Sequence, residues 1–406
     1  MHPVSEGSAN VCLMRILHTS DWHIGRTLHG VDLLQHHATY FDHLVDLVGQ
    51  EDIDAVVVSG DIYDRAIPPV DAVELLYETL ARLSEKTQIV VTPGNHDSAI
   101  RLGFGASLMR PSIHIRSLIR DIARPVELVT TNGEELLVYA LPYLDPDAAR
   151  PQLSEDSQGI ARSHEAVMSA AMSAVRSDLS VRESRSSARP ASLVMAHAFV
   201  VGGQPSESER DIRIGGVDSV PSGVFDGVDY VALGHLHGPQ VVKGAGSAVA
   251  RYSGSPLAFS FSEMNHKKSS ALVEIGQDGV RGEPQLFAAP VPRKLSEVSG
   301  TMDELLGATG EKYVDDWLRV YVTDQRRPQE MNARLKARFP HALVMQHRPV
   351  GVGETARAAI TVTQASNPAE VASRFIEDVT LTPPTPQERK VLEDAIDLAR
   401  AQEKSA

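Results

Sequence analysis

The apolar positions in the N-terminal part of the chain predict strands that alternate with helices. Short apolar runs predict strands at Arg15–Leu17, Ala55–Val58 and Ile89–Val91. Between them, Val31–Val48 and Val70–Leu83 carry apolar residues near helical spacing, which predicts two amphipathic helices. Each predicted strand runs into a loop of polar residues. In α/β sheets, functional sites are built from the loops at the carboxyl ends of the strands, so these loops are the place to look for chemistry.

A second set of strands, in the middle of the chain, predicts a second sheet. Val126–Val129 and Leu136–Leu141 have the pattern of a hairpin around an Asn132-Gly133 turn. Gly159–Val175 is a candidate helix, whereas Ser177–Pro190 has few apolar anchors and predicts a surface linker. Strands are predicted again at Ser192–Ala196, Tyr230–Leu233, Gln240–Lys243, Ala248–Tyr252 and Ala271–Ile275. We therefore predict an α/β fold in which two β-sheets form a sandwich flanked by helices.

The pattern changes after Pro290 and Pro292, which predicts a separate small domain. A β-α-β-like unit is predicted from Trp317–Thr323, Gln329–Phe339 and Ala342–Gln346. A Pro-rich break then precedes a charged helix with an apolar stripe, at residues 387–403. We expect a disordered extension at residues 1–13, a main domain at 14–289, a small α+β domain at 290–380 and a helical tail at 381–406.

The composition is that of a globular protein with an acidic balance. Of the 406 residues, 42% are hydrophobic and 23% are charged, which is sufficient for a sizeable core. The net charge of −14 argues against general adhesion to nucleic acid, although divalent metals and a local basic strip still allow phosphate to bind. The single cysteine, Cys12, excludes a disulfide framework and a Cys-based zinc site, and it fits a reducing cytoplasm. No run approaches about 18 consecutive apolar residues, so we expect no membrane-spanning segment.

Metal-capable side chains follow the apolar strands in five places. The five pieces are Asp21-x-His23, Gly60-Asp61, Gly94-Asn95-His96-Asp97, His197 and Gly234-His235-x-His237. Each piece alone has an ordinary explanation, since an Asp-x-His arises by chance, a Gly-Asp is a common turn and a lone histidine satisfies its bonds in a core. The most telling single piece is His235-x-His237, because alternate residues of an extended segment point the same way.

The combination of these pieces favours a dinuclear metal site. Asp61 follows His23 by 38 residues and Asn95 follows Asp61 by 34, and each spacing suits one strand–helix unit of a sheet. Oxygen and nitrogen ligands without a thiolate suit two hard or borderline divalent ions such as manganese better than structural zinc. A carboxylate can bridge two ions about 3.5–4 Å apart, which polarise a phosphoryl group and lower the pKa of a shared water.

In their order and spacing, the five pieces resemble the calcineurin-like metallophosphoesterase superfamily. Longer stretches are similar to the SbcD family, the bacterial counterpart of the Mre nuclease. The similar stretches are His18-Thr19-Ser20-Asp21-Trp22-His23-Ile24-Gly25, Gly60-Asp61-Ile62-Tyr63-Asp64 with Pro68-Pro69, Gly94-Asn95-His96-Asp97-Ser98, and Tyr252-Ser253-Gly254-Ser255-Pro256 followed by Ser260-Phe261-Ser262-Glu263. Asp211-Ile212-Arg213-Ile214-Gly215 is a weaker match. The resemblance covers residues 14–290 well and the remainder by organisation only.

The resemblance implies a role for each matching residue. It implies seven ligands for two divalent ions, Mn²⁺ or Mg²⁺: Asp21, His23 and His237 for one, Asn95, His197 and His235 for the other, and Asp61 as the bridge between them. His96 would contact the scissile phosphate or protonate the leaving oxygen, as a general acid beside the phosphate should. Asp64 matches the position that orients this histidine. The plainer alternative is that His96 simply begins a helix.

The resemblance also implies a function and partners. SbcD proteins are nuclease subunits of a DNA-repair complex, with 3′→5′ exonuclease activity on duplex ends and endonuclease activity on single strands and hairpins. Their action on duplex DNA is coupled to ATP through SbcC, a coiled-coil ATPase held by the C-terminal helices. A capping domain, here residues 290–380, helps position DNA. We therefore expect DNA, an SbcC-type ATPase and a second copy of the chain as partners, in a heterotetramer in the cytoplasm.

Several features have two interpretations. The segments Val70–Leu83 and Ser98–Met109 are either core helices or, as in the family, a dimerisation surface. The basic residues Arg101, Arg110, Arg116, Arg120 and Arg124, and the pair Lys267-Lys268, are either solvated surface or contacts to phosphate. The apolar stripe of the terminal helix either docks on its own domain or holds a partner.

Two other functions compete with the nuclease. One is a different metallophosphoesterase, either a protein phosphatase or a cyclic-nucleotide phosphodiesterase. The dipeptide Asp64-Arg65 faintly resembles the protein-phosphatase motif. The other is a non-catalytic scaffold that keeps the fold only to bind a partner. The scaffold requires lost ligands, and here all seven ligand positions and His96 are present.

Overall fold

The computed structural model describes residues 13–130, 135–154, 159–185, 189–209, 219–349, 368–380 and 383–403. Two compact units make up the chain: Met1–Ser296 with Asp315–Trp317, and Glu297–Val314 with Leu318–Ala406. Three predictions fall outside the described residues: the extension up to residue 12, the Asn132-Gly133 turn and the Asp211–Gly215 match. Among the described helices, none combines the length and the apolar character that a bilayer crossing requires.

Seven strands form the first sheet of the larger unit. Its central strands Met14–Thr19, Ala55–Ser59 and Gln88–Thr92 are parallel neighbours. The remaining strands of this sheet are Ile113–Ile115, Ser269–Gly276, Gly279–Val280 and Gln285–Ala288. Side chains of the central strands are buried on both faces, as in Ala55–Ser59, where all five residues are buried. Apolar runs without alternation are therefore expected here, because parallel strands are covered on both sides.

The second sheet has six strands, in the order Gln240–Val242, Val249–Tyr252, Tyr230–Gly234, Ala191–His197, Glu135–Ala140 and Val126–Val129. The last two are antiparallel, which confirms the predicted hairpin strands. Tyr230–Gly234 is parallel to both of its neighbours, so its carboxyl end lies beside that of Ala191–His197. Two further pairs of short strands are Thr27–Leu28 with Val31–Asp32 and Phe199–Val200 with Ser219–Val220.

Three apolar clusters define the layers of this unit. One lies between the two sheets and includes Ile16 and Tyr230. A second packs the helices Leu34–Gln50 and Val70–Leu83 onto the outer face of the first sheet. The third packs His164–Glu183 and Pro146–Leu153 onto the outer face of the second sheet. Helix, sheet, sheet and helix thus follow one another, which confirms the predicted α/β/β/α sandwich.

The second unit has a small core of its own. Its sheet consists of Leu295–Gly300, Trp317–Val322 and Ala342–His347, of which the last two are parallel. The helices Met302–Leu306 and Met331–Arg338 contribute to the buried cluster around Leu335 and Phe339. The strand, helix and strand predicted after residue 317 are therefore present. Two helices, Pro368–Thr380 and Pro386–Glu403, contact each other at the C-terminal end.

Two local predictions are wrong. The segment Ser98–Met109 is not one helix, because Gly103 and Gly105 divide it into the helix Ala99–Leu102 and the 3₁₀ turn Ala106–Leu108. Gly105 has a φ of 74°, which ends regular helix geometry. The predicted linker beginning at Ser177 is also wrong at its start, because the helix runs from His164 to Glu183 and buries Leu179 on its apolar face. Ser163, which caps this helix by accepting from the Ala166 amide, sets its start.

Candidate metal centre

The predicted ligands lie at the carboxyl ends of five strands. Asp21, Asp61 and Asn95 follow three adjacent parallel strands of the first sheet, and His197 and His235 lie at the ends of two parallel strands of the second. The sandwich places these two edges side by side, so the loops converge. The structure therefore brings all seven predicted ligands into one site, six of them buried and Asn95 half-buried.

The three residues predicted for the first ion form one compact group. Ligand atoms of Asp21, His23 and His237 all lie within 4.8 Å of one another. The Nε2 atoms of His23 and His237 approach to 3.1 Å. Since at most one of two facing ring nitrogens carries a proton there, at least one lone pair points into the gap, as a metal ligand requires.

The three residues predicted for the second ion meet around the side-chain oxygen of Asn95. Asn95 Oδ1 lies 2.9 Å from His197 Nε2 and 3.3 Å from His235 Nδ1. The Asn95 side-chain nitrogen is buried and has no hydrogen-bond partner among the described residues. An amide oxygen and two imidazole nitrogens thus converge on one point.

The carboxylate of Asp61 lies between the two groups. Asp61 Oδ2 is 3.5 Å from His23 Nε2 and 3.4 Å from His197 Nε2, one histidine from each group. The other oxygen, Oδ1, accepts a hydrogen bond of 2.9 Å from the His96 amide. Asp61 therefore occupies the position that a ligand bridging the two ions would require.

The local backbone is strained where the ligands lie. Asp21, His23, Asp61 and His235 all have positive φ, a region that residues other than glycine adopt rarely. Such strain persists only where surrounding contacts impose it, and it concentrates at functional sites. One such contact joins the sheets directly, because the His235 amide donates to Asp21 Oδ1 over 2.9 Å.

Gly94 is required by the close approach of Asp61. A Cβ at position 94 would lie 2.2 Å from Asp61 Oδ1 and 2.3 Å from the Asp61 amide nitrogen. We expect Gly94→Ala to displace Asp61, to lower the free energy of unfolding by about 1–3 kcal/mol and to weaken Mn²⁺ binding. Thermal unfolding and Mn²⁺ titration would measure both effects. Gly223→Ala is the control, since its Cβ would meet nothing nearer than 3.9 Å, and equal behaviour of the two variants would contradict the expectation.

Burial and charge make the site attract a cation. Burial lowers the pKa of His23 well below its usual value and, together with the charge of His197, lowers that of His235 to about 3. These rings are therefore neutral and able to ligate. Burial alone would also lower the pKa of His197, but the Asp61 and Asp21 carboxylates outweigh it and raise this pKa to about 9. The carboxylates thus hold a positive charge at the point where a divalent ion would displace the proton.

His96 borders the site beside the first group of ligands. Its ring lies edge-on to His23, with 4.7 Å between centroids, and it is half-buried. His96 Nδ1 donates a hydrogen bond of 2.8 Å to the main-chain carbonyl of Asp64. The contact to Asp64 therefore runs through the backbone, while the Asp64 carboxylate lies 3.8 Å from His23 Nδ1 and 3.7 Å from Arg26 Nε.

Sequence reasoning missed residues that hold the loops in place. Asp97 accepts hydrogen bonds of 2.9 Å from the amides of Ile62, Tyr63 and Gly94, which ties the Asp61 loop to the Asn95 loop. The sequence signal that could have identified Asp97 is its position at the end of the Gly94-Asn95-His96-Asp97 piece. Lys268, which was grouped with Lys267 as a surface cation, is instead buried and bonded to Glu263. It is not available to phosphate, because its ammonium is enclosed.

The donor set fits divalent cations. Two carboxylates, one amide oxygen and four imidazoles converge, and none of the seven is a thiolate. Such oxygen and nitrogen donors suit hard or borderline divalent ions. The specific observation is the pair of facing nitrogens of His23 and His237, because at least one lone pair is directed into the gap between them and is available to a cation.

Comparison with known proteins agrees with this site. Residues 14–239 match the family model of the calcineurin-like phosphoesterases. Residues 291–380 match a model described as the type 5 capsule protein repressor C-terminal domain. The SbcD subunit of the nuclease SbcCD from Bacillus subtilis (strain 168) is 36% identical over 351 residues, which cover 83% of this chain and 86% of that protein.

Solved structures are more distant. A protein of Thermus thermophilus is 12% identical with a TM-score of 0.39 and covers 69% of this chain and 100% of its own. A dimetal phosphatase from Danio rerio is 13% identical with a TM-score of 0.41 and covers 68% of this chain and 99% of its own. Likenesses at this level carry no argument about function.

The sandwich, the converging donors and a family match over more than half of the chain define a calcineurin-like phosphoesterase. The class is that of metal-binding hydrolases of phosphoesters. Within this class, the 36% identity to the Bacillus subtilis protein, over most of both chains, decides the family. The chain belongs to the SbcD family, as the motifs indicated.

Proposed function

We propose that this chain is the nuclease subunit of an SbcCD-like complex and hydrolyses DNA phosphodiesters at the site described above. The single observation that supports this most is the convergence of seven donors in two groups with Asp61 between them, in a chain similar to a nuclease subunit over most of its length. We assign Asp21, His23 and His237 to one ion, Asn95, His197 and His235 to the other, and Asp61 to both.

Two divalent ions, Mn²⁺ in our proposal, would supply Lewis-acid charge to the phosphodiester and lower the pKa of an attacking water. The chain itself provides the rest. Asn95 and His96 are only half-buried, so they form the side of the site that is open to substrate. His96 Nδ1 donates to the Asp64 carbonyl, which leaves Nε2 for the substrate. To act as the general acid the ring would be an imidazolium, so that Nε2 would give its proton to the leaving oxygen and the ring would keep the proton on Nδ1. Asp64 is thus the residue that orients His96.

We propose 3′→5′ exonuclease action on duplex ends and endonuclease action on single strands and hairpins, in DNA repair, recombination and replication in the cytoplasm. ATP coupling would come from an SbcC-type ATPase, since the similar protein is named as one subunit of SbcCD. The helices Pro368–Thr380 and Pro386–Glu403 are our candidates for its binding site, because Phe375 and Val391 are exposed on them. The unit before them would help position DNA.

Release of nucleotides from an end-labelled linear duplex, with and without Mn²⁺, tests the proposal. Parallel assays use bis-(p-nitrophenyl) phosphate as a diester and p-nitrophenyl phosphate as a monoester. Mn²⁺-dependent cleavage of DNA and of the diester, with little monoester turnover, is the expected result. Strong monoester turnover without DNA cleavage, including in the presence of the ATPase partner, would identify a phosphatase instead. A protein without Mn²⁺ binding would be the scaffold.

A second copy of the chain is a proposed partner because apolar side chains project from two segments beside the site. Phe104 and Leu108 expose 86% and 88% of their surface, and Tyr77 on the neighbouring helix exposes 73%. Core packing therefore does not explain these three residues, although Leu76 and Leu80 are buried. Exposed apolar groups of this size typically mark interaction surfaces.

We expect Phe104→Asp to weaken self-association by about 30-fold or more, because a charge would replace a large apolar anchor. Light scattering after size-exclusion chromatography, over a range of concentrations, would measure the change. Val129→Asp is the control, since Val129 is also apolar and exposed but lies on the edge of the second sheet. A wild type that stays monomeric at every concentration would contradict the dimer.

A further inference from the structure

His237 is held more firmly than the other histidines of the site. Its ring nitrogen Nδ1 lies 2.7 Å from Ser208 Oγ, on the side away from His23. Its amide donates to Glu209 Oε1 over 2.8 Å, and its carbonyl accepts from Lys268 Nζ over 2.9 Å. Ring, amide and carbonyl are thus each fixed by a different side chain.

The direction of these bonds sets the protonation of the ring. Glu263 Oε2 is paired with the ammonium of Lys268, so the carboxylate is ionised in a buried ion pair. An ionised carboxylate only accepts, so the Ser208 hydroxyl donates to Glu263. Ser208 Oγ is then the acceptor for the Nδ1 proton of His237. The lone pair of His237 therefore lies on Nε2, which faces His23.

The Glu263–Lys268 pair is buried, which demands an explanation. The two residues are 1% and 5% exposed and are hydrogen-bonded to each other. A buried ion pair contributes little stability compared with apolar residues of the same size. Here the remaining contacts of the pair are directed at His237 or at its surroundings: Glu263 Oε1 accepts from Ser208 and the Phe259 amide and lies 3.4 Å from His237 Nδ1, and Lys268 donates to Ser255 and the His237 carbonyl.

Among the described residues, no other histidine of the site is hydrogen-bonded to a hydroxyl that in turn bonds a carboxylate. Asp64 Oδ1 lies 3.8 Å from His23 Nδ1, which is beyond hydrogen-bonding distance. His23 Nδ1 is buried and has no hydrogen-bond partner among the described residues. His197 Nδ1 lies 3.1 Å from the Ser59 carbonyl, and the carboxylate oxygen Asp21 Oδ1 is farther away, at 4.0 Å. A carboxylate behind a metal-binding histidine typically fixes its ring and raises its basicity. The arrangement therefore concerns one ligand of one ion.

We propose that Ser208, Glu263 and Lys268 are positioning residues that orient His237 and set its tautomer for one of the two ions. This inference rests on the proposed function, because it assumes that His237 binds a metal. It predicts an asymmetry: damage to the relay should weaken the ion held by Asp21, His23 and His237 and spare the ion held by Asn95, His197 and His235.

The test compares Ser208→Ala with the wild-type full-length chain. Ser208→Ala removes the relay hydroxyl and leaves the buried ion pair intact. We expect one of two Mn²⁺ binding steps in calorimetric titration to weaken by about 10- to 100-fold, while the other is unchanged. At an Mn²⁺ concentration that fills both sites of the wild type but lies below the dissociation constant of the weakened site, electron paramagnetic resonance should show a single uncoupled ion in the variant and a coupled pair in the wild type. Ser208→Thr, which keeps a hydroxyl, should restore both.

The chain offers a matched control in a similar triad at the opposite end of the second sheet. Ser192 donates to Asp229 over 2.8 Å, and Asp229 pairs with Arg189 over 2.6 Å. Ser192→Ala therefore also removes a hydroxyl from a serine–carboxylate–cation group, and both ions should bind as in the wild type. This separates loss of the relay from a general effect of losing a buried hydroxyl.

A second variant covers the case in which Ser208→Ala folds poorly. Glu263→Gln with Lys268→Met removes both charges together and should weaken the same single ion. Two unchanged binding steps, or equal weakening of both, in either folded variant would overturn the inference. A wild type that binds no Mn²⁺ would overturn the proposed function, and the inference with it.

Discussion

Asp61→Asn should abolish the coupled pair of Mn²⁺ ions and reduce DNA cleavage by at least about 10³-fold. The reason is the position of its carboxylate, which lies 3.5 Å and 3.4 Å from one histidine of each predicted group. An amide keeps the shape and one oxygen, but it removes the negative charge that two cations would share. Mn²⁺ titration, paramagnetic resonance and cleavage of an end-labelled duplex would measure the losses.

The matched control for Asp61→Asn is Asp54→Asn. Asp54 lies at the other end of the same strand and accepts a hydrogen bond of 2.7 Å from the Arg15 amide. Asp54 adjoins the same strand but lies outside the site, so Asp54→Asn should leave metal binding and cleavage as in the wild type. If Asp61→Asn still bound two coupled ions, the bridging assignment would be wrong.

Much of the main unit could be predicted because its signals are local. The helix Val70–Leu83 has the predicted bounds, since its apolar spacing is regular and the Pro pair just before it marks its start. The parallel strands were recognisable as apolar runs because both of their faces are covered. The proposed ligands were recognisable because each lies at or after the carboxyl end of such a strand, and a sheet brings the carboxyl ends of parallel strands to one edge.

The remaining features depend on contacts between distant segments. Ser208 lies 29 residues from His237 and 55 from Glu263, and nothing in the local pattern around it indicates that these side chains meet. In the sequence, Lys268 has the pattern of a surface cation because it adjoins Lys267. Its burial depends on the loops that enclose it in the fold. The continuation of the helix past Ser177 was missed for a similar reason, since its polar sequence is held by Leu179 against the second sheet.

The residues proposed to bind metal differ in their surroundings from His96, the residue proposed to act on the substrate. Six of the seven proposed ligands are buried, whereas His96 is half-buried and its Nδ1 donates to the Asp64 carbonyl. The His96 ring lies near the cluster, since ligand atoms of His23, Asp64 and His96 are within 4.8 Å of one another. The direct hydrogen bond of His96 to a proposed ligand is made by its main chain, through the amide that donates to Asp61 Oδ1. A side-chain substitution at position 96 therefore leaves that bond in place.

His96→Ala should consequently lower cleavage by about 10²–10⁴-fold while both Mn²⁺ ions bind as in the wild type. Loss of a general acid affects the departure of a leaving oxygen, so cleavage of DNA, whose leaving alkoxide is a strong base, should fall much more than cleavage of bis-(p-nitrophenyl) phosphate. His114→Ala is the control, because His114 lies on the Ile113–Ile115 strand and contacts only Gln88 by hydrogen bond. Equal losses on both substrates with intact metal binding would indicate that His96 positions the phosphate and does not protonate the leaving oxygen. Loss of the metal ions in His96→Ala would contradict the separation of roles, because it would make the ring itself part of the metal centre.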